Sequence, residues 1–263
     1  MSHQPRKRFG QHFLCDQGVV HRIVDAISPK PHEHLVEIGP GQGAITIPIL
    51  RLVKHLDVIE LDRDLIPELE ERSRNARSLH VHLADALSFD FASLKQDERK
   101  LRVFGNLPYN ISTPLLFHIL TFAPIISDMI FMLQKEVALR IAAEPSSSDY
   151  GRLSVMVQYH CKAQLLFNVG KNSFYPPPKV ESSIIHLIPY ATLPFIAHDY
   201  CLFENIVKAA FSQRRKTLRN SLRDHMTDEM WEQLSVSSTL RAENISVQEF
   251  VQITNLCFEN KIV

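Results

Sequence analysis

The chain has 263 residues, 45% of them hydrophobic and 22% charged, with 29 Lys and Arg balancing 29 Asp and Glu. This composition excludes a disordered, collagenous or coiled-coil chain and a bulk polycation, and the length allows one large unit or a main domain with a smaller companion. Any contact with nucleic acid must be made by local basic patches. Cys15, Cys161, Cys201 and Cys257 are widely spaced without a C-x-x-C pair, so no disulfide framework is expected. The first residues carry charge but no following apolar run, so no secretory signal is expected and a cytoplasmic home is the natural one.

Along the chain, short apolar runs alternate with amphipathic stretches. His34–Ile38, Asp57–Leu61, His80–Leu83, Leu101–Gly105 and Asp128–Leu133 read as strands, with longer helical stretches such as Arg63–Asn75 between them. That alternation predicts a parallel α/β sheet. Thr113–Leu133 is almost wholly apolar, yet Pro114, His118, Pro124 and Asp128 interrupt it. The break after Phe122 predicts a buried helix followed by a buried strand, not a membrane span. Leu165–Val169 and Ser182–Ile188, separated by the turn-rich Lys171–Lys179, predict an antiparallel hairpin at the sheet edge. From about His198 onward helix patterns take over. The boundary is placed near Pro189–Pro194, giving a catalytic domain over 1–190, with an arm over 1–20, and a small helical domain over 191–263.

Glu37-Ile38-Gly39-Pro40-Gly41-Gln42-Gly43 joins a strand to a helix, where a doubly wound sheet binds a nucleotide-like ligand. No Lys-Ser/Thr follows Gly43, so it is not a Walker A loop, and its third glycine comes one residue early for the dinucleotide fingerprint. A tight strand-to-helix turn with no ligand is the lesser alternative when the loop stands alone. Two later carboxylates add to it: Glu60 ends the second strand, suited to ribose hydroxyls, and Asp85 closes the third, suited to an adenine amine. Phe104-Gly105-Asn106-Leu107-Pro108-Tyr109 follows the fourth strand and is the most specific feature in the chain. An exocyclic adenine amine is a poor nucleophile because its lone pair is delocalised into the ring. The Asn106 side-chain oxygen and the Leu107 carbonyl are two acceptors for its two hydrogens. Pro108 fixes the turn that aims the carbonyl, and Tyr109 offers a stacking face.

Taken together, these motifs resemble the S-adenosylmethionine-dependent rRNA adenine N6-dimethyltransferases. Phe9-Gly10-Gln11-His12-Phe13-Leu14, Phe174-Tyr175-Pro176-Pro177-Pro178-Lys179-Val180 and Gln213-Arg214-Arg215-Lys216-Thr217-Leu218-Arg219-Asn220 extend the resemblance over essentially the whole chain. The resemblance implies a Rossmann-like class I methyltransferase fold: a mostly parallel sheet, an antiparallel edge hairpin and a small all-helical carboxyl-terminal domain. It implies S-adenosylmethionine as cofactor and 16S rRNA in the small ribosomal subunit as substrate and partner; nothing in the sequence demands more than a monomer. It places Gly39 on the methionine part of the cofactor, Glu60 on the ribose, Asp85 on the adenine, and Asn106 between cofactor and target, with Glu37 and Gly41 of the same loop also among the cofactor-binding residues. His12 and Leu14 would close over the cofactor from the arm, although the family more often has Asn where His12 stands. Phe174 would stack on the target adenine opposite Tyr109. A 23S rRNA adenine methyltransferase and a non-catalytic subunit assembly factor are the alternatives.

Local positive charge lies in Arg6, Lys7 and Arg8 and in Lys208–Arg223, which holds six basic residues and no acidic one. On a helix Lys208, Arg215, Arg219 and Arg223 share one face, beside Lys216, while Phe203, Val207, Phe211, Leu218 and Leu222 share the other. These are the candidate RNA contacts. Arg214 would fall on the apolar face, so either a break near Ser212 or a buried acidic partner is expected. His32-x-His34 and His80-x-His82 each put two imidazoles on one side of a strand, but no third ligand accompanies them in the sequence, and no metal is expected.

Overall fold

In a computed structural model that describes residues 11–74, 78–213 and 215–260, every expected apolar run is a strand, several of them longer than read from the sequence. Chain order gives β1 (Phe13–Leu14), α1 (Gln17–Ile27), β2 (His34–Ile38), α2 (Thr46–Leu50), β3 (His55–Glu60), α3 (Ile66–Ser73) and β4 (Ser78–Leu83). There follow β5 (Leu101–Asn106), α4 (Ser112–Leu120), β6 (Ile126–Gln134), α5 (Lys135–Ile141), α6 (Arg152–His160), β7 (Cys161–Val169), β8 (Phe174–Tyr175) and β9 (Ser182–Pro189). Among the described residues four α-helices follow: α7 (Tyr200–Phe211), α8 (Leu218–Ser221), α9 (Asp228–Glu232) and α10 (Val247–Glu259).

Contacts divide the chain into two units. The first reaches Ala138 and returns for Ala163–Pro189, and the second holds Leu139–Lys162 and the chain from Tyr190. Sequence order assigns Leu139–Lys162 to the sheet domain. The structure assigns it to the helical unit, because α6 packs on α7 and α10. There, α10 opens with a capping box in which the Ser246 N–H donates to Glu249 at 2.6 Å and the Glu249 N–H donates back to the Ser246 hydroxyl at 3.3 Å.

The first unit is built on a seven-stranded sheet of order β4-β3-β2-β5-β6-β9-β7. The first five are parallel, and β9 runs antiparallel to β6. β2 is buried at all five positions, as expected of a central parallel strand covered on both faces. β4, at the edge, is not. β9 inserts between β6 and β7, so β7 is the other edge.

Pro67 explains why Arg63–Asn75 is not one α-helix. Proline lacks an N–H and is tolerated only in a first turn, so a 3₁₀ turn over Arg63–Leu65, capped by Asp62, precedes α3, and Asn75 lies outside the described residues. Thr113–Leu133 resolves into α4, a 3₁₀ turn over Ala123–Ile125 containing Pro124, and β6. No described helix is long and apolar enough to cross a membrane.

Candidate cofactor and substrate site

A cavity of about 350 Å³ opens at the carboxyl ends of β2, β3, β4 and β5. Parallel sheets place ligands there because the strand-to-helix loops diverge at that edge. Its floor is the loop after β2. Gly39, Gly41 and Gly43 have φ of +67°, +56° and +80°, a left-handed backbone that suits glycine alone. The Gly39 N–H donates to the Ile59 carbonyl at 2.9 Å, which ties the loop to β3. Gly105 in β5 serves another need, since a Cβ there would lie 2.3 Å from the Ile38 carbonyl oxygen. Only glycine lets β5 lie this close to the end of β2.

Two buried carboxylates brace the loop. Glu60, 7% exposed, accepts the Asp62 N–H at 2.8 Å on one oxygen and the Gly41 N–H at 3.2 Å on the other. Burial raises its pKa above the usual carboxylate value. Glu37 is 2% exposed and accepts the Thr46 hydroxyl at 2.6 Å. Burial, helped by the charge of Glu60, pushes it up to about 8. Asp85 is exposed, lines the cavity, and holds its loop by accepting the Leu87 N–H at 2.9 Å.

Asn106, Leu107, Pro108 and Tyr109 form the opposite wall. The Asn106 Nδ2 donates to the His12 carbonyl at 3.1 Å, leaving Oδ1 as the acceptor end of the amide. The Leu107 N–H donates to the Met132 carbonyl at 3.2 Å, extending the β5–β6 pairing past the strand end. The Tyr109 hydroxyl shares a 2.5 Å hydrogen bond with Ser182, and burial raises its pKa.

The arm closes the cavity. β1 pairs with β8, Phe13 opposite Tyr175 and Leu14 opposite Phe174. His12 and Leu14 line the wall. The His12 ring stacks on Tyr109 with centroids 5.9 Å apart and planes at 25°. Its Nδ1 donates to the Pro176 carbonyl at 2.7 Å, since a carbonyl can only accept. Gln11 and Phe13 also line the cavity, and the Gln11 amide donates to Asp62 at 2.9 Å. The sequence carries no signal for these partners, which are far apart in the chain.

Two expectations need correction. Phe174 is 3% exposed and lies in the core cluster with Leu14, Val20, Ile45 and Val169, so it does not line the cavity. The pleat turns Phe174 inward and Tyr175, 67% exposed, outward. Lys208 and Arg215–Arg223 do not share one helix face. α7 stops at Phe211, with Ser212 as its cap, and α8 is a separate short turn. The break near Ser212 is the one that the position of Arg214, itself outside the described residues, called for. Two of these charges have acidic neighbours: Arg219 meets Asp228, and Arg223 lies 3.7 Å from Asp224. Lys208, Arg215, Lys216, Arg219 and Arg223 are all exposed, while Phe203, Val207, Leu218 and Leu222 are fully buried. Arg6, Lys7 and Arg8 lie outside the described residues.

The model of the family described as ribosomal RNA adenine dimethylase matches residues 2–259. The chain is 54% identical over 253 residues to ribosomal RNA small subunit methyltransferase A of Pseudomonas aeruginosa, covering 96% of this chain and 94% of the relative. Among solved structures, a dimethyladenosine transferase from Plasmodium falciparum is similar, with TM-score 0.78, 27% identity and coverage of 95% and 98%. The 23S rRNA methyltransferase ErmE shares the fold, with TM-score 0.72, 22% identity and coverage of 94% and 99%.

Proposed function

The chain belongs to the ribosomal RNA adenine dimethylase family, and from that premise we propose that it dimethylates N6 of two adjacent adenines near the 3′ end of 16S rRNA. The observation that carries this reading is a single cavity whose wall joins the Gly39 loop, Glu60 and Asp85 to Asn106–Tyr109. Its cofactor is S-adenosylmethionine, which supplies an electrophilic methyl group from a sulfonium centre. The residues present fit that molecule. The glycine loop leaves room for close backbone approach, Glu60 offers two oxygens to a ribose diol, and Asp85 offers an acceptor to an adenine amine. The apolar Ile38, Ile59, Leu61 and Ala86 face the same space. Glu37 braces the loop through Thr46, and His12 and Leu14 cover it from the arm.

On the substrate side, Asn106 Oδ1 and the Leu107 carbonyl accept the two amine hydrogens. They orient the nitrogen lone pair and favour its tetrahedral form. Pro108 holds the turn. The nitrogen grows more acidic as it alkylates, so these acceptors need no basicity of their own. Tyr109, anchored by Ser182, stacks on the base, which must leave its own stack to reach the cavity. Exposed Lys208, Arg215, Lys216, Arg219 and Arg223, with Arg6, Lys7 and Arg8 of the arm, supply phosphate contacts. In this reading the chain acts as a monomer on the small subunit during its biogenesis in the cytoplasm.

The test incubates the protein and methyl-labelled S-adenosylmethionine with small and large ribosomal subunits lacking adenine dimethylation, followed by nucleoside analysis. Labelled N6,N6-dimethyladenosine from small subunits alone is the expected result. Label in large subunits would favour the 23S reading, and absence of label with cofactor binding intact would favour an assembly factor.

A further inference from the structure

One face of three adjacent strands carries an unusual load. His34 opens β2, His55 and Asp57 lie on β3, and His80 and His82 lie on β4. The registers that pair Leu35 with Leu56, Asp57 with His80 and Ile59 with His82 put all five side chains on the same side of the sheet. None of the five lines the cofactor cavity.

Three imidazoles converge on one carboxylate. His34 Nε2 is 2.9 Å and His55 Nε2 2.8 Å from one oxygen of Asp57, and His82 Nε2 is 2.7 Å from the other. The ligand atoms of His34, His55 and Asp57 all lie within 4.8 Å of one another. His34 and Asp57 are buried, at 5% and 6% side-chain exposure, whereas His55 and His82 are 33% and 31% exposed. The set therefore has a fixed inner pair and an outer pair open to entering ions. The His80 ring meets His55 edge-on at 4.4 Å and limits its swing.

We propose that His34, His55, Asp57 and His82 form a binding site for a divalent ion of the zinc type, which ties edge strand β4 to β3 and β2. Nitrogen and carboxylate oxygen donors in fourfold number are the set that Zn²⁺ takes. Metal–ligand bonds of about 2.0–2.1 Å in a tetrahedron need ligand atoms about 3.3 Å apart. Of the four, only His34, His55 and Asp57 already have ligand atoms within 4.8 Å of one another, so His82, held on the other Asp57 oxygen and about a third exposed, must swing inward to complete the tetrahedron. Each imidazole would move its proton from Nε2 to Nδ1 and present its lone pair to the ion. The two His-x-His pairs in the sequence each lacked a third ligand, and β3, which lies between the strands of His34 and His82, brings His55 and Asp57.

The experiment uses the tag-free full chain, stripped with a chelator and titrated with Zn²⁺ alone against a chromophoric competitor, then with Co²⁺ alone. One equivalent of Zn²⁺ and the intense visible bands of tetrahedral Co²⁺ are expected. Amide exchange in β4 should slow on addition of Zn²⁺. His55→Gln and His34→Gln should each weaken binding at least about tenfold and remove the Co²⁺ bands, whereas the control His21→Gln, an exposed residue on α1, should leave both unchanged. His55→Gln decides the matter should the buried His34→Gln fail to fold, because its amide still donates to Asp57. Failure to bind Zn²⁺, or binding that survives His55→Gln, would overturn the proposal and leave a hydrogen-bonded histidine cluster.

Discussion

Gly105→Ala tests whether the close approach of β5 to β2 sets the geometry of the site. The added methyl would meet the Ile38 carbonyl oxygen at 2.3 Å, against a floor of 3.0 Å for real Cβ contacts, so the strands must part by at least 0.7 Å. The obstacle is backbone, which has no rotamer to yield. Overpacking of this kind costs about 1–3 kcal/mol. The functional effect should be larger than the stability effect suggests, because Gly105 precedes Asn106 and Ile38 precedes Gly39. One displacement thus moves both walls of the cavity. A misplacement near 1 Å costs about 10²-fold in rate, so a loss of about 10- to 100-fold is expected here. Urea unfolding measures the first quantity, and single-turnover methyl transfer at saturating cofactor measures the second. A variant within about 0.5 kcal/mol and twofold of the parent would refute the reasoning, since changes that small mark substitutions that disturb nothing special.

Asn106→Ala should lower transfer by about 10²- to 10³-fold, as does loss of one preorganised polar group in other enzymes. Its stability should fall by only about 0.5–1.5 kcal/mol for the lost bond to His12, as urea unfolding would show. Tyr109→Ala should weaken RNA binding by about 1–3 kcal/mol through lost stacking, while Tyr109→Phe, which loses only the Ser182 bond, should keep most of it; filter binding separates the two. Glu37 sits at about 8 in the folded chain against 4.5 for the free side chain. Between those values the folded state binds the extra proton, so this residue's contribution makes stability fall as pH rises. Glu37→Gln should therefore gain on the parent from about pH 4.5 to 8 and match its slope below that window; parallel pH profiles of the two proteins would refute it.

Local pattern alone fixed much of this molecule. The apolar runs set the strands because five consecutive buried positions are intelligible only in a central parallel strand, and Pro124 divided Thr113–Leu133 between helix and strand. The cavity was legible for the same reason. Gly39, Glu60, Asp85 and Asn106 follow the ends of successive strands, and a parallel sheet brings such ends to one edge whatever lies between them.

Tertiary structure decided what depends on pairing across distance. Whether Phe174 or Tyr175 faces the core follows from the β1–β8 register, which is set by contact with an arm about 160 residues away. The assignment of Leu139–Lys162 to the helical unit rests on packing of α6 against α7 and α10. The His34–His55–Asp57–His82 cluster is likewise invisible along the chain. Each histidine reads as a strand-edge residue until the parallel registers of β2, β3 and β4 set the three strands side by side. A sequence states which face a side chain takes within its own strand, and only the sheet states which neighbours share that face.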